Sequence, residues 1–76
     1  MTPYASASGK KSGVLAFKID HDRILVRFAV ADYLYTYRSA GKPTIEKMKK
    51  MALAQSGLSS FISRNKPVYE DWFPRK

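Results

Sequence analysis

Three tyrosines at alternate positions, ending on a cation, are the stretch of this chain most able to do chemistry: Tyr33-Leu34-Tyr35-Thr36-Tyr37-Arg38. Aromatic faces stack on unpaired bases, and arginine and lysine heads pair with phosphates. Rings interleaved with cations are therefore the side-chain chemistry of single-stranded nucleic-acid binding. Further cations lie on either side: Lys18, Arg23 and Arg27 before the stretch, and Lys42, Lys47, Lys50, Arg64 and Lys66 after it. Each also has a bland reading, because a strand tyrosine can simply fill a core and a lysine run can be an ordinary solvated helix face.

Catalytic chemistry has less to build on. Asp20-His21-Asp22 contains metal-ligand types, but three consecutive turn residues do not readily converge on one ion, and short polar side chains at that place are hairpin-turn chemistry. Ser56, Ser59, Ser60 and Ser63 have no second histidine to activate them, and no glycine-rich phosphate loop is present. Glu70-Asp71 reads as a carboxylate pair balancing nearby cations. The expectation is a protein that binds rather than catalyses, without a metal or other cofactor.

Global composition points the same way. Fourteen Lys and Arg against six Asp and Glu give a formal net charge of +8 on 76 residues. A field of that sign attracts polyanions, so nucleic acid is the default partner class. A chain this short forms one small domain with a thin core. Cysteine is absent, which excludes disulfides and thiolate zinc sites and fits a reducing, cytoplasmic compartment. No apolar run approaches the length of a membrane span, and the polar opening MTPYASASGKKSG is unlike a secretory segment.

The elements that must position these residues follow from periodicity. Residues 1–12 carry no apolar pattern and read as a flexible basic tail ahead of a domain over 13–76. VLAFKID alternates, with Leu15, Phe17 and Ile19 on one face. RILVRF alternates with Ile24, Val26 and Phe28 opposite Arg23, Leu25 and Arg27, and YLYTYR supplies a third strand. Pro43 suits the first turn of a helix, with Glu46 near its positive end and Ile45, Met48, Met51 and Ala52 on one arc. Gly57 reads as its left-handed C-cap. Leu58, Phe61 and Ile62 then mark a second helix that Pro67 stops, and Tyr69, Trp72 and Phe73 are expected to dock. The predicted architecture is α+β: a three-stranded antiparallel meander followed by two helices packed on one sheet face.

Pairing decides which way the tyrosines face. With Phe28 opposite Tyr33, Val26 opposite Tyr35 and Ile24 opposite Tyr37, every bulky apolar group falls on one side, and Lys18, Arg23, Arg27, Thr36 and Arg38 on the other. A slip of one residue would bury a cation. At least two tyrosines are then structural, and the open face becomes a cationic platform beside a rim tyrosine, Tyr35 or Tyr37.

The hairpin-linked strands with a Tyr-x-Tyr motif, the Pro-started helix, Ala54-x-Ser56 and the following Phe61 resemble the KTSC domain. That short module stands at the C-terminus of some lysyl-tRNA synthetases and as small free-standing bacterial and phage proteins. The resemblance spans roughly residues 14–69 and implies RNA binding. The chain departs from the family at Val30-Ala31-Asp32, where a glycine precedes the motif, and at Ile62, where an asparagine follows the phenylalanine. The leading expectation is a small RNA- or single-strand-binding module, monomeric or weakly dimeric, that uses Lys18, Arg23, Arg27, Tyr35, Tyr37, Arg38, Lys42, Lys47, Lys50, Arg64 and Lys66. The competing class is an inhibitor of the kind phages and mobile elements encode, which would block a host protein complex.

Overall fold

The structure, a computed structural model, describes residues 2–4 and 13–74. It is an α+β fold: an antiparallel five-stranded sheet in the order β1-β2-β3-β4-β5 with helices packed on one face. The strands are β1 (Thr2–Pro3), β2 (Val14–Asp20), β3 (Arg23–Phe28), β4 (Ala31–Thr36) and β5 (Asp71–Pro74). The helices α1 (Tyr37–Ala40), α2 (Lys42–Ala54) and α3 (Leu58–Asn65) lie between β4 and β5.

From Ala16 onward the central meander stands as the alternation requires. Val14, Phe17, Ile24, Val26 and Tyr35 project into one core with Ile45, Met48 and Ala52 of α2 and Leu58 of α3. Removing each such side chain from water contributes roughly 1.5–3 kcal/mol, so this shared face is what holds the layers together. Two strands exceed the expected three. Thr2–Pro3 pair with Phe17 and Ala16, and Tyr4 is buried, so the start of the chain belongs to the sheet rather than to a tail. The rest of that expected tail, 5–12, lies outside the described residues. β5 covers the other edge by pairing with β4. The outer edge of β2 thus carries β1 along its first half.

Register differs from expectation by two residues. Val26 faces Tyr33, Ile24 faces Tyr35 and Arg27 faces Asp32. An even slip keeps every side chain on its face, so the parity of the sheet is unchanged. Exposed Val30 sits at the hairpin tip, while Ala31 enters the core. A bulge between Val14 and Ala16 reverses parity at the start of β2. Val14 takes the core position, and Leu15 faces solvent instead of packing beneath the helices.

Tyr37 and Arg38 are not strand residues. Thr36 ends β4 with a capping box: its hydroxyl accepts from the Ser39 N–H at 3.1 Å, and the Ser39 hydroxyl accepts from the Thr36 N–H at 3.0 Å. Gly41, at φ 91°, turns the chain into α2, whose first turn contains Pro43 but no acid, since the helix begins at Lys42 and leaves Glu46 one position past that turn. Gln55, not Gly57, is the left-handed cap of α2, at φ 52°. Gly57, at φ 78°, precedes α3.

Candidate nucleic-acid interface

The open sheet face carries Lys18, Arg23 and Arg27 outward, as expected, but it is no cationic platform. Arg27 grips Asp32 on the neighbouring strand through two bonds, Nε to Oδ1 at 3.0 Å and Nη2 to Oδ2 at 3.1 Å. Arg23 pairs with Asp22 at 3.0 Å, and that hydrogen bond holds the Asp22 carboxyl below its ordinary value. At the same end of the sheet the Thr36 hydroxyl donates to Glu70 at 2.8 Å, and Asp71 stands opposite Leu34. Asp20, Asp22, Asp32, Glu70 and Asp71 all belong to the sheet, its turns or its approach, leaving only Glu46 among the acids for the helices. The strand arginines are thereby matched with carboxylates. Arg38 belongs to α1 rather than to a strand of this face.

The helical half is the reverse. Between residues 37 and 66 stand seven Lys and Arg against the single acid Glu46. Lys49 is committed: it meets Glu46 at 3.0 Å and donates to the His21 carbonyl at 2.8 Å, tying α2 to the β2–β3 turn. The other six, Arg38, Lys42, Lys47, Lys50, Arg64 and Lys66, are exposed, and among the described residues none has a carboxylate within ion-pair reach. The Lys42 ammonium lies 5.9 Å from the Tyr37 ring centre and the Lys47 ammonium 5.3 Å from that of Phe61, so each cation sits over an aromatic face while its residue stays exposed.

The tyrosines divide. Tyr35, at 3 % exposure, is a core residue and is withdrawn from the expected stacking surface. Tyr37 donates its hydroxyl to Glu46, which raises the phenol and lowers the carboxyl, so it serves as a strut between α1 and α2. Tyr33 is partly buried and stands at the wall of a groove. That groove, of about 690 Å³, opens among Phe28, Val30, Tyr33, Ile62, Lys66 and Tyr69. Tyr69, missed as a site residue, packs edge-on against Tyr33 at 4.9 Å. Its place in a cluster of aromatic residues was the available signal. Trp72 and Phe73 dock as expected in β5, yet each keeps close to half its surface in water.

Burial and the neighbouring Tyr33 and Tyr69 push the Tyr35 phenol up from 10.0 to about 12. Below pH 10 both folded and unfolded chains keep this proton. Between pH 10 and 12 the unfolded chain releases it first, so stability falls as pH rises through that window. Absorbance titration should show the Tyr35 phenolate forming only near pH 12, and Tyr35→Phe should flatten the dependence of melting on pH above 10. A Tyr35 phenolate formed at the ordinary pH in an intact fold would contradict the burial.

At the β2–β3 turn, His21 lies 6.5 Å from the Tyr37 ring and Asp22 is tied to Arg23. Among the described residues no three His, Asp or Glu side chains converge as a metal site, and no helix is long and apolar enough to cross a membrane. Compared with known protein families, curated proteins and solved structures, the chain matches none.

Proposed function

We propose that the protein binds single-stranded nucleic acid, RNA above all, through its helical half rather than through the open sheet. The observation that carries this is the segregation of charge: six exposed, carboxylate-free cations on the helices and their flanks, against matched pairs on the sheet. Such a surface tracks a phosphate backbone without reading sequence. Duplex readout has less support, because the Asn65 amide at the end of α3 donates to the Phe61 carbonyl at 3.0 Å, leaving no base-reading amide on that short helix. The likeness to the KTSC domain favours RNA as well. The reading is of a binding module, not an enzyme.

Salt dependence tests it. Each phosphate neutralised on a single strand contributes about 0.7 to the slope of log affinity against log salt, so engagement of all six cations corresponds to a slope near −4. Fluorescence anisotropy with an oligoadenylate over a KCl series measures this directly. Affinity unchanged from low to physiological KCl would refute a phosphate-binding surface.

One feature favours the second reading, an inhibitor of a host protein complex. Trp72 and Phe73 are half-exposed on the edge strand β5, and aromatic residues at an edge are common anchors in protein interfaces. A partner retained from host lysate after nuclease treatment and high salt would support it over nucleic acid.

A further inference from the structure

The groove beside Tyr33 and Tyr69 differs from the rest of the surface. Its walls are aromatic and aliphatic: Phe28 packs edge-on against Tyr33 at 5.4 Å, Tyr69 meets Tyr33 edge-on at 4.9 Å, and Ile62 and Val30 add to the lining. Its size falls within the ~300–1,000 Å³ of sites that take small organic molecules. Tyr35 also lines it, its ring stacked 6.4 Å from that of Tyr33, so three tyrosine hydroxyls belong to the lining residues. None of these hydroxyls bonds another described group, yet no partly or fully buried side-chain polar atom lacks both a partner and solvent. The Tyr33 and Tyr35 hydroxyls therefore keep some contact with solvent, and Tyr69 is itself 48 % exposed. Among the described residues the one charge in the lining is Lys66, just beyond the end of α3 and two residues from Arg64.

We propose that this groove receives one unstacked nucleobase of the strand whose phosphates the helical half holds, an inference that rests on the nucleic-acid reading above. A base brings what the site offers to meet: a flat π-face for Tyr69 and Tyr33, an edge of donors and acceptors for the hydroxyls, and a neighbouring phosphate for Lys66. A purely apolar side chain from a protein partner would strip water from three hydroxyls and offer them nothing. Lys66 and Ile62 in its lining place the groove beside the helical half rather than on the carboxylate-bearing open face of the sheet.

The test compares hexa-adenylate RNA with an abasic ribose-phosphate hexamer of equal charge, at low KCl. Hexa-adenylate should bind roughly tenfold tighter, the increment of one stacked base. Tyr69→Ala should bring that ratio toward one without changing affinity for the abasic hexamer, and Tyr69→Phe should keep most of it. Ring resonances of Tyr33 and Tyr69 in the unmodified protein should shift with hexa-adenylate and not with the abasic hexamer, a readout independent of any variant. Equal affinity for the two oligomers would overturn the base site while leaving the cationic surface standing. Failure of both to bind would overturn the two together. Ring shifts produced by a capped leucyl-phenylalanine dipeptide, but not by hexa-adenylate, would assign the groove to a protein anchor instead.

Discussion

Replacing Lys47, Lys50 and Arg64 together by Glu is expected to lower affinity for an oligoadenylate by about a hundredfold or more at ~0.1 M KCl, with the melting temperature almost unchanged. The three residues are exposed, belong to α2 and α3, and have no carboxylate partner among the described residues, so their reversal removes attraction and installs repulsion without stranding a buried group. The contrasting variants lie on the sheet. Lys18→Glu should leave binding close to wild type, because that face already carries more carboxylates than cations. Arg27→Glu should instead lower the melting temperature: it sets a second carboxylate against Asp32, whose side chain is only 12 % exposed and relies on the two-bond grip of the guanidinium. Anisotropy and thermal unfolding on the same samples separate the two effects. If Lys18→Glu abolished binding while the helical triple variant retained it, the strand would have to run across the sheet, and the proposal would fail.

The contrast shows what the sequence made legible. Alternation in VLAFKID, RILVRF and YLYT fixes which side chains share a face, and apart from the bulge at the start of VLAFKID the structure keeps that parity even though the β3–β4 register slides by two. Parity depends only on odd against even spacing, whereas register depends on the turn, and Ala29-Val30-Ala31 offers no glycine or asparagine to announce one. The cross-strand pair Arg27 and Asp32 was the signal for the observed alignment. Likewise Thr36-x-x-Ser39 is a capping pattern that ends the third strand before Tyr37, overriding the tyrosine alternation. Reading Tyr37-Arg38 as strand carried Arg38 onto a platform to which it does not belong.

Charge was legible in amount and not in place. Counting Lys and Arg gives the field, but five of the six carboxylates cluster at the sheet, where hydrogen bonds to arginine and threonine hold three of them. Only the three-dimensional pairing separates cations that neutralise a neighbour from cations that remain available. The helix residues were the easier half, because Ile45, Met48 and Ala52 at helical spacing leave Lys47 and Lys50 no side but the outer one. The groove was least legible of all. It joins the β3–β4 tip, the end of α3 and the segment before β5, which lie far apart in sequence and meet only because β5 returns to pair with β4.

Tyr4 is the residue whose removal should cost the fold most for its place in the sequence. It lies in a polar opening that composition alone reads as a tail, yet it is 7 % exposed, meets the Phe17 ring edge-on at 6.3 Å and closes the core beside Leu58. Its hydroxyl accepts the Leu58 N–H at 3.1 Å, the role of an N-cap for α3, where Gly57 has no side chain to provide one. Tyr4→Ala should therefore destabilise by about 3 kcal/mol, as aromatic truncations in packed cores do. That is a large share of the roughly 4–11 kcal/mol expected for a domain this size. Tyr4→Phe keeps the ring and leaves the Leu58 N–H without its acceptor, for a smaller loss of about 1–2 kcal/mol. Denaturant unfolding measures both. The order of the two losses is the decisive result, because a ring that merely covered the surface would make them equal and small. A Tyr4→Ala midpoint indistinguishable from wild type would mean that β1 is dispensable and that the sheet ends at β2.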